Sequence, residues 1–237
     1  MRRWNIAFIG MLVCIFFTGG VINCEEASKK DSPPAPAVKA EPKPSPKVIK
    51  LLPPQTDKGK PLMTVLKNRK SGREFSPEKL PMNVLSNLLW AACGVNRPGE
   101  GYRTAPSAVN WQEIDVYVAL QEGLYLYDAN TSVLAQVLPQ DIRALTGKQA
   151  FVKDAPVNLI YVADLSKMGR STEEDKNFYS AADTGFISQN VYLYCASEGL
   201  STVVRGLFDR EGLSKVMNLR PEQKIILTQT VGYPKKK

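Results

Sequence analysis

Apolar and polar residues are distributed in three different ways along the chain. An unbroken apolar run occupies residues 6–17, and a stretch rich in proline, lysine and alanine follows with no apolar period. From residue 61 onward, apolar positions recur at helical and strand spacings. The pattern therefore predicts an N-terminal signal of residues 1–24, a linking segment of residues 25–60 and a folded domain of residues 61–237.

The folded domain contains both helical and strand periods. Apolar residues recur at i, i+3, i+4 and i+7 within residues 85–92, which predicts a helix that begins near Pro81 and ends at Gly94. Residues 114–120 and 124–127 alternate on either side of a short turn, which predicts a β-hairpin. The other predicted elements are a strand at 157–162, a helix over 184–197, a short helix capped by Asp209 and a strand at 224–231. Together they indicate an α+β fold.

The helix predicted over residues 184–197 differs from the others because most of its sides are apolar. A helix of this kind is buried, either in the core of its own domain or against a second subunit. The pattern alone leaves both possibilities open.

The N-terminal run has the features of an export signal. Arg2 and Arg3 precede it, and the small residues at 18–20 follow it. The run is short for a membrane crossing, which takes about 20 apolar residues. We therefore expect a secretory signal peptide and an exported protein of the bacterial cell envelope or periplasm.

Cys24 stands at the end of this predicted signal. The segment Val21-Ile22-Asn23-Cys24 resembles a bacterial lipobox, in which the cysteine becomes the lipidated first residue of the mature chain. Asn23 departs from the small residue that usually precedes the cysteine. Two hypotheses follow: a lipoprotein anchored to a membrane through Cys24, or cleavage nearby with Cys24 as a bystander.

The linking segment has a composition that does not support a hydrophobic core. Eight of the 17 prolines lie between Pro33 and Pro54, interleaved with lysine, alanine and serine. Proline-rich chains favour extended polyproline geometry, at about 3.1 Å per residue. We therefore predict that residues 25–60 are a disordered tether that holds the domain away from a membrane.

The composition excludes several classes of chemistry. The 237 residues include no histidine, which removes histidine-based triads, the HExxH zinc helix and haem held by histidine. The four cysteines form no CxxC pair, so no metal site is predicted, and Cys93 and Cys195 are expected to be free buried thiols. The net charge of +8 comes without a basic patch interleaved with aromatics, so no nucleic-acid partner is expected.

One short segment combines groups that suit a phosphate. Arg69-Lys70-Ser71-Gly72-Arg73 places two guanidiniums, an ammonium, a hydroxyl and a glycine within five residues. Arginine presents a planar fork to phosphate oxygens, and lysine adds a point charge. On spacing alone, the segment fits either a phosphate site or a solvated basic turn.

The surroundings of this segment resemble the nitroreductase family of FMN-dependent oxidoreductases, and most of all its branch of thiazole- and oxazole-forming dehydrogenases. The matching motifs are RKSGREFS at 69–76, LP at 80–81, WAACGV at 90–95, RTAPSA at 103–108, GFISQN at 185–190 and VGYP at 231–234. The resemblance covers residues 61–237. It implies a mainly antiparallel sheet flanked by helices, in an entwined homodimer that holds FMN at its interface.

The resemblance also implies which residues contact FMN. Those for the phosphate and ribityl chain are Arg69, Lys70, Ser71 and Arg73, with Lys235 and Arg205 as further phosphate candidates. Those that reach the flavin of the other subunit are Pro106, Ser107, Ala108 and Asn110. Those that place a backbone N–H at flavin N5 are Thr184 and Gly185. No side chain is assigned a catalytic role, because the flavin carries the chemistry.

The implied function is transfer of a hydride from NAD(P)H through flavin N5 to a nitroaromatic, quinone or similar acceptor. Residues 109–112 depart from the aromatic and acidic set of the azoline-forming enzymes, so peptide-azoline oxidation is not inferred. Two alternatives stay open because NAD(P)H is scarce outside the cytoplasm. One is a flavin dehydrogenase of an envelope metabolite or peptide, and the other is a non-catalytic envelope ligand-binding protein that retains the fold.

Overall fold

The computed structural model describes residues 47–236, so the predicted signal peptide, Cys24 and most of the predicted tether lie outside the described residues. Within that range there are nine strands and four α-helices. The strands are β1 (Val48–Lys50), β2 (Val95–Arg97), β3 (Tyr102–Arg103), β4 (Ile114–Leu120), β5 (Gly123–Asp128), β6 (Val133–Leu138), β7 (Val157–Asp164), β8 (Ser201–Arg205) and β9 (Gln223–Gly232). The helices are α1 (Leu62–Asn68), α2 (Met82–Cys93), α3 (Glu173–Glu198) and α4 (Arg210–Val216).

Seven of these strands form one sheet, in the order β1-β6-β5-β4-β7-β9-β8. All of its pairs are antiparallel. Strand β7 is buried at every position, as expected for a strand that is covered on both faces. The remaining two strands, β2 and β3, form a separate small ribbon. The prediction of an α+β fold built on a mainly antiparallel sheet is confirmed.

Each face of the sheet is covered by its own apolar cluster. On one face, Leu88 and Leu89 of α2 and Val191 of α3 are fully buried against strands β4, β5 and β7. On the other face, Leu213 of α4 and Phe208, which precedes that helix, belong to a second buried cluster. The sheet is therefore the middle layer of three, and α3 lies directly on it.

Helix α3 is longer than predicted. It begins after Thr172, whose hydroxyl accepts the N–H of Asp175, and it ends at Gly199, which adopts a left-handed φ of 72°. Three acidic residues in the first turn stabilise its N-terminus. The sequence pattern missed residues 173–183 because this half of the helix exposes aromatic side chains and shows no apolar stripe.

The prediction of a disordered tether is wrong for residues 47–60. Strand β1 pairs antiparallel with β6, and the backbone N–H of Leu52 donates to Ser86 Oγ of α2 at 2.9 Å. Apolar residues on both sides of Lys50, at 48–49 and 51–52, supply this strand, but the proline-rich composition around them hides the signal. The ordered domain thus includes residues that composition assigned to the tether.

Cys93 and Cys195 are free, as predicted. Cys195 is buried and Cys93 is partly buried. Burial raises the pKa of Cys93 to about 12 and raises the pKa of Cys195 as well, so both sulfurs are neutral thiols at neutral pH. Across residues 47–236, no helix has the length and apolarity needed to cross a membrane.

Candidate functional site

The basic segment 69–73 connects α1 to α2 and lies against strand β8. The N–H of Gly72 donates to the carbonyl of Thr202 at 2.9 Å. A Cβ atom at residue 72 would lie 2.0 Å from Ser201 Oγ, so any larger residue would have to displace that hydroxyl, and a glycine favours this close approach. Lys70, Ser71 and Arg73 are exposed, which leaves their side chains open to a ligand.

Tyr192 of α3 supports the basic segment from the protein side. Its hydroxyl accepts the N–H of Val204 at 3.0 Å and lies 2.9 Å from Ser71 Oγ. The guanidinium of Arg69 lies 5.3 Å from the centre of the Tyr192 ring, within cation–π range. Either hydroxyl can be the donor of this bond, and when Tyr192 donates, the hydroxyl proton of Ser71 is left for a ligand oxygen.

The structure brings Lys235 to the basic segment. A β-bridge joins Phe75 to Pro234, and the N–H of Ser76 donates to the carbonyl of Tyr233 at 2.9 Å. As a result, Arg73 and Lys235 border one open depression of about 430 Å³. Its other polar lining residues are Lys236, Glu74 and Asp154. We call Arg69, Ser71, Arg73, Lys235 and Lys236 the basic surface.

Arg205 does not belong to the basic surface, so its prediction as a phosphate contact is wrong. It is buried at the opposite end of β8, where it donates to the carbonyl of Thr146 at 2.6 Å and to Asn158 Oδ1 at 3.0 Å. Burial lowers its pKa to about 10, and the guanidinium still carries its charge at neutral pH. The side chain ties the sheet to the segment that precedes β7.

The segment 106–112 has a strained backbone. Val109, Asn110 and Gln112 have φ values of 50°, 56° and 49°. Left-handed conformations cost L-residues about 1–2 kcal/mol each, and a β-branched valine adopts them least readily. The Val109 side chain is also 83% exposed, so packing within the chain does not compensate for its backbone. Such strain persists only where surrounding contacts hold it.

Polar contacts hold this segment in place. Within it, the N–H of Gln112 donates to Ser107 Oγ at 3.0 Å. From outside, Arg103 donates to Gln112 Oε1 at 2.8 Å, and the N–H of Ala108 donates to Asp183 Oδ2 of α3 at 2.9 Å. The last of these bonds joins the segment directly to the middle of α3. Pro106 and Asn110, the other two predicted site residues here, are exposed.

Thr184 and Gly185, which follow Asp183 in α3, differ in their exposure to solvent. Thr184 is fully buried, and its Oγ1 has no hydrogen-bond partner in the described part of the chain. Gly185 is exposed, and a Cβ added to it would meet nothing within 4 Å. A flat group can therefore approach the helix backbone at Gly185.

A cavity of about 250 Å³ lies between segment 106–112 and the sheet. Strands β4 and β5 pair only from Tyr117 to Leu120 of β4, and the cavity opens where they separate. Its charged and polar lining residues include Arg103, Ser107, Asp115, Asp128, Lys167 and Asp183. The cavity thus presents charges of both signs beside Asp183.

Glu113 carries a buried carboxyl group whose oxygens lack compensating hydrogen bonds in the described part of the chain. It is fully buried, and over residues 47–236 neither carboxyl oxygen has a hydrogen-bond donor beside it. The group it faces is the carboxyl of Asp183. Burial first, and then the charge of Asp183, raise the pKa of Glu113 to about 7, and burial also raises the pKa of Asp183.

A three-layer α+β domain with a basic surface beside a long helix is compatible with a flavin-dependent oxidoreductase. The model of the nitroreductase family matches residues 66–233, and the chain belongs to that family. Its members generally use flavin cofactors.

Individual relatives agree with the family. A Methanocaldococcus jannaschii protein named as a nitroreductase is 32% identical over 170 residues, which cover 67% of this chain and 85% of that protein. A Ralstonia eutropha JMP134 structure described as a nitroreductase is 45% identical, with a TM-score of 0.77, and covers 80% of this chain and 90% of that one. The E. coli microcin synthetase McbBCD structure, with truncated pro-MccB17 bound, shares the fold at 19% identity and a TM-score of 0.62, over 79% of each chain.

Sequence reasoning missed three residues of this region: Tyr192, Glu113 and Asp183. A signal existed for Asp183, because it is an acidic residue directly before Thr184, where the apolar helix was predicted to begin. Glu113 gave a weaker signal, as a charge immediately before a buried strand. Tyr192 gave none, since an aromatic residue on this helix is expected to pack in the core.

Proposed function

We propose that this protein binds FMN and transfers reducing equivalents from NAD(P)H to a nitroaromatic, quinone or similar small acceptor. The observation that carries the proposal is the basic surface, where Ser71, Arg73 and Lys235 converge in a member of the nitroreductase family. Two separate parts of the chain, the segment 69–73 and the C-terminal Lys235, supply these groups, which a solvated basic turn would not require.

The residues fit an FMN molecule. Arg73 and Lys235 offer a guanidinium and an ammonium to phosphate oxygens, and Ser71 offers a hydroxyl proton. Gly185 leaves room for a flat ring over the helix backbone. Tyr192 and Gly185 are seven residues apart on α3, or about 10 Å along its axis, a distance that an extended ribityl chain spans.

FMN, when bound, supplies the two-electron chemistry of such a reaction. The protein has to hold the phosphate and keep one face of the ring open. The N–H of Gly185 lies inside α3, where helical geometry directs it to the carbonyl of Ala181, so Gly185 offers room for the ring but no free donor to flavin N5 in this conformation. No histidine is needed for these tasks, in agreement with the composition.

We include a homodimer in the proposal. Val109 is 83% exposed, Phe178 is 66% exposed and Phe186 is 47% exposed, and α3 carries two of these three side chains. Exposed apolar groups close to a site mark an interaction surface. A second copy of the chain that covers them would bring Pro106, Ser107, Ala108 and Asn110 to the flavin of its partner.

Export to the cell envelope, with or without a lipid on Cys24, is also part of the proposal. It is supported by the basic, apolar and small-residue order of residues 1–24. Cys24→Ala should release the protein from membranes into the soluble fraction. If the wild-type protein is already in the soluble fraction, the lipid anchor on Cys24 is wrong and only export by signal cleavage remains.

The visible absorption spectrum of a fragment of residues 25–237, which begins after Cys24, tests the main proposal. The expected result is a flavin band that stays with the protein through gel filtration and is bleached by NADPH. A retained band that NADPH does not bleach would favour a flavin dehydrogenase with another donor. A colourless protein in excess FMN would overturn the proposal in favour of a ligand-binding protein.

Substitutions in the basic surface sharpen this test. Arg69→Ala combined with Arg73→Ala should abolish flavin retention while the oligomeric state is unchanged. The matched control is Lys148→Ala combined with Lys215→Ala, which removes the same two charges from exposed positions elsewhere. Equal flavin retention in both double variants would contradict the phosphate assignment.

A further inference from the structure

Glu113 and Asp183 form a buried acidic pair between strand β4 and helix α3. Glu113 is fully buried and Asp183 is 2% exposed. Glu113 directly precedes β4 in the chain, and Asp183 lies in the middle of α3. Two carboxyl groups in this position cannot both be ionised without a large cost, because burial weakens solvation and the charges repel.

A proton between the two carboxyl groups removes that cost. No donor reaches either oxygen of Glu113 in the residues that the structure describes, so a hydrogen bond to Asp183 requires that one group be protonated. The Ala108 N–H already donates to Asp183 Oδ2, which favours the ionised form on Asp183. Glu113 is therefore the group that carries the proton.

The pair also connects two parts of the site. Through Asp183 it holds Ala108, the first residue of the short helical turn that contains the strained Val109. Asp183 is followed by Thr184 and Gly185, where the flavin ring is proposed to lie. A change at the pair thus reaches both the strained segment and the helix backbone.

We propose that a proton shared by Glu113 and Asp183 fastens segment 106–112 to α3, and that its loss releases the segment and loosens the flavin site. Both residues act as positioning residues in this inference, since neither is placed against the flavin. The part of the inference that concerns flavin rests on the proposed function, whereas release of the segment does not.

Other charged groups around the pair set the direction of the pH effect. Lys167 lowers the pKa of Glu113, but its ammonium is engaged by Asp115 Oδ1 at 2.7 Å. Arg103 is bonded to Gln112 on the side of the segment. The pKa of Glu113 is about 7 in the folded protein and about 4.3 in the unfolded chain, so protonation of Glu113 stabilises the fold. This stabilisation is fully present below about pH 4.3. That contribution is lost as the pH rises through 7.

Trp111 provides a reporter inside the segment, because its ring packs edge-on against Tyr179 of α3 with centroids 5.9 Å apart. The experiment follows the tryptophan emission of flavin-free residues 25–237 from pH 5 to 9. We expect a red shift with a midpoint near pH 7. Trp111→Phe is the control that assigns the shift, because Trp90 would be the remaining tryptophan in this fragment.

The decisive variant is Glu113→Gln. Its amide donates to Asp183 at every pH, so the red shift should be absent and the segment should stay attached at pH 9. Asp183→Asn is a second variant. It removes one of the two like charges, so it should also lack the transition. A wild-type protein without a shift, or a Glu113→Gln protein with the same shift as the wild type, would overturn the inference.

The FMN dissociation constant provides the second readout. It should rise at least tenfold between pH 6 and pH 9 in the wild type and stay within about twofold in Glu113→Gln. If the fluorescence transition occurs but FMN does not bind at any pH, the proposed function fails and the positioning role stands. If FMN binds equally at both pH values, the link between the pair and the flavin site is wrong.

Discussion

The basic surface around Arg73 and Lys235 and the acidic pair of Glu113 and Asp183 differ in burial, in charge and in their relation to the fold. The cations are exposed, and water solvates them whether or not a ligand is present. The carboxyl groups are buried, and burial raises the pKa of both. Changes at the exposed cations should therefore alter binding alone, whereas changes at the buried pair should alter stability, pH dependence and binding together.

The largest effect on stability is expected at the pair. Asp183→Ala leaves the partly buried N–H of Ala108 without its acceptor, so the free energy of unfolding should fall by about 1–3 kcal/mol. Urea denaturation at pH 6, where Glu113 is protonated, measures the loss. Gln189→Ala on the exposed side of the same helix is the control and should stay within about 0.5 kcal/mol of the wild type.

The basic surface should show the opposite behaviour. Arg73→Ala and Lys235→Ala should each weaken FMN binding about tenfold, or about 1.4 kcal/mol, without a measurable change in stability. Calorimetric titration gives the affinity, and thermal unfolding of the flavin-free protein gives the stability. A comparable loss of stability in either variant would mean that the cations serve the fold, and the contrast between the two regions would fail.

Tyr192 lies between these extremes, because it contacts both the fold and the basic surface. Tyr192→Phe removes the acceptor of the Val204 N–H, so stability should fall by about 1 kcal/mol. FMN binding should weaken by less than tenfold, since Ser71 loses only its supporting partner. Tyr179→Phe on the same helix is the matched control and should change neither quantity.

The smallest effect is expected in the strained segment. Asparagine tolerates a positive φ better than valine, so Val109→Asn should raise stability by up to about 1 kcal/mol. Denaturation at several protein concentrations separates this gain from any change in self-association. Val137→Asn, at an exposed position of strand β6, should give no gain, and an equal gain there would remove backbone strain as the cause.

Much of the fold could be predicted from the sequence because its elements carry regular patterns. Helix α2, the β4–β5 hairpin and strand β7 each follow a clean helical or strand period between recognisable turn residues. Strand β1 and the first half of α3 could not be predicted in the same way. The first is hidden among prolines, and the second has its aromatic residues on the exposed side, so neither shows the period of a buried face.

The site could be predicted only in part, for a related reason. Motifs locate residues whose type the proposed ligand would require, such as Arg73, Ser71 and Gly185. They do not locate residues whose role arises from folding, such as Glu113, whose partner lies 70 positions away on another element. Arg205 shows the reverse error: a charged residue that suggests a ligand is used to hold the protein together.

Strand β1 has a practical consequence for anyone who trims this protein. A fragment that begins at residue 61, where composition places the start of the domain, lacks the outermost strand of the sheet. Strand β6 would then offer an open row of backbone N–H and C=O groups, which is a template for edge-to-edge aggregation. Insoluble expression of such a fragment would reflect a cut made inside the domain, and a boundary before Lys47 avoids it.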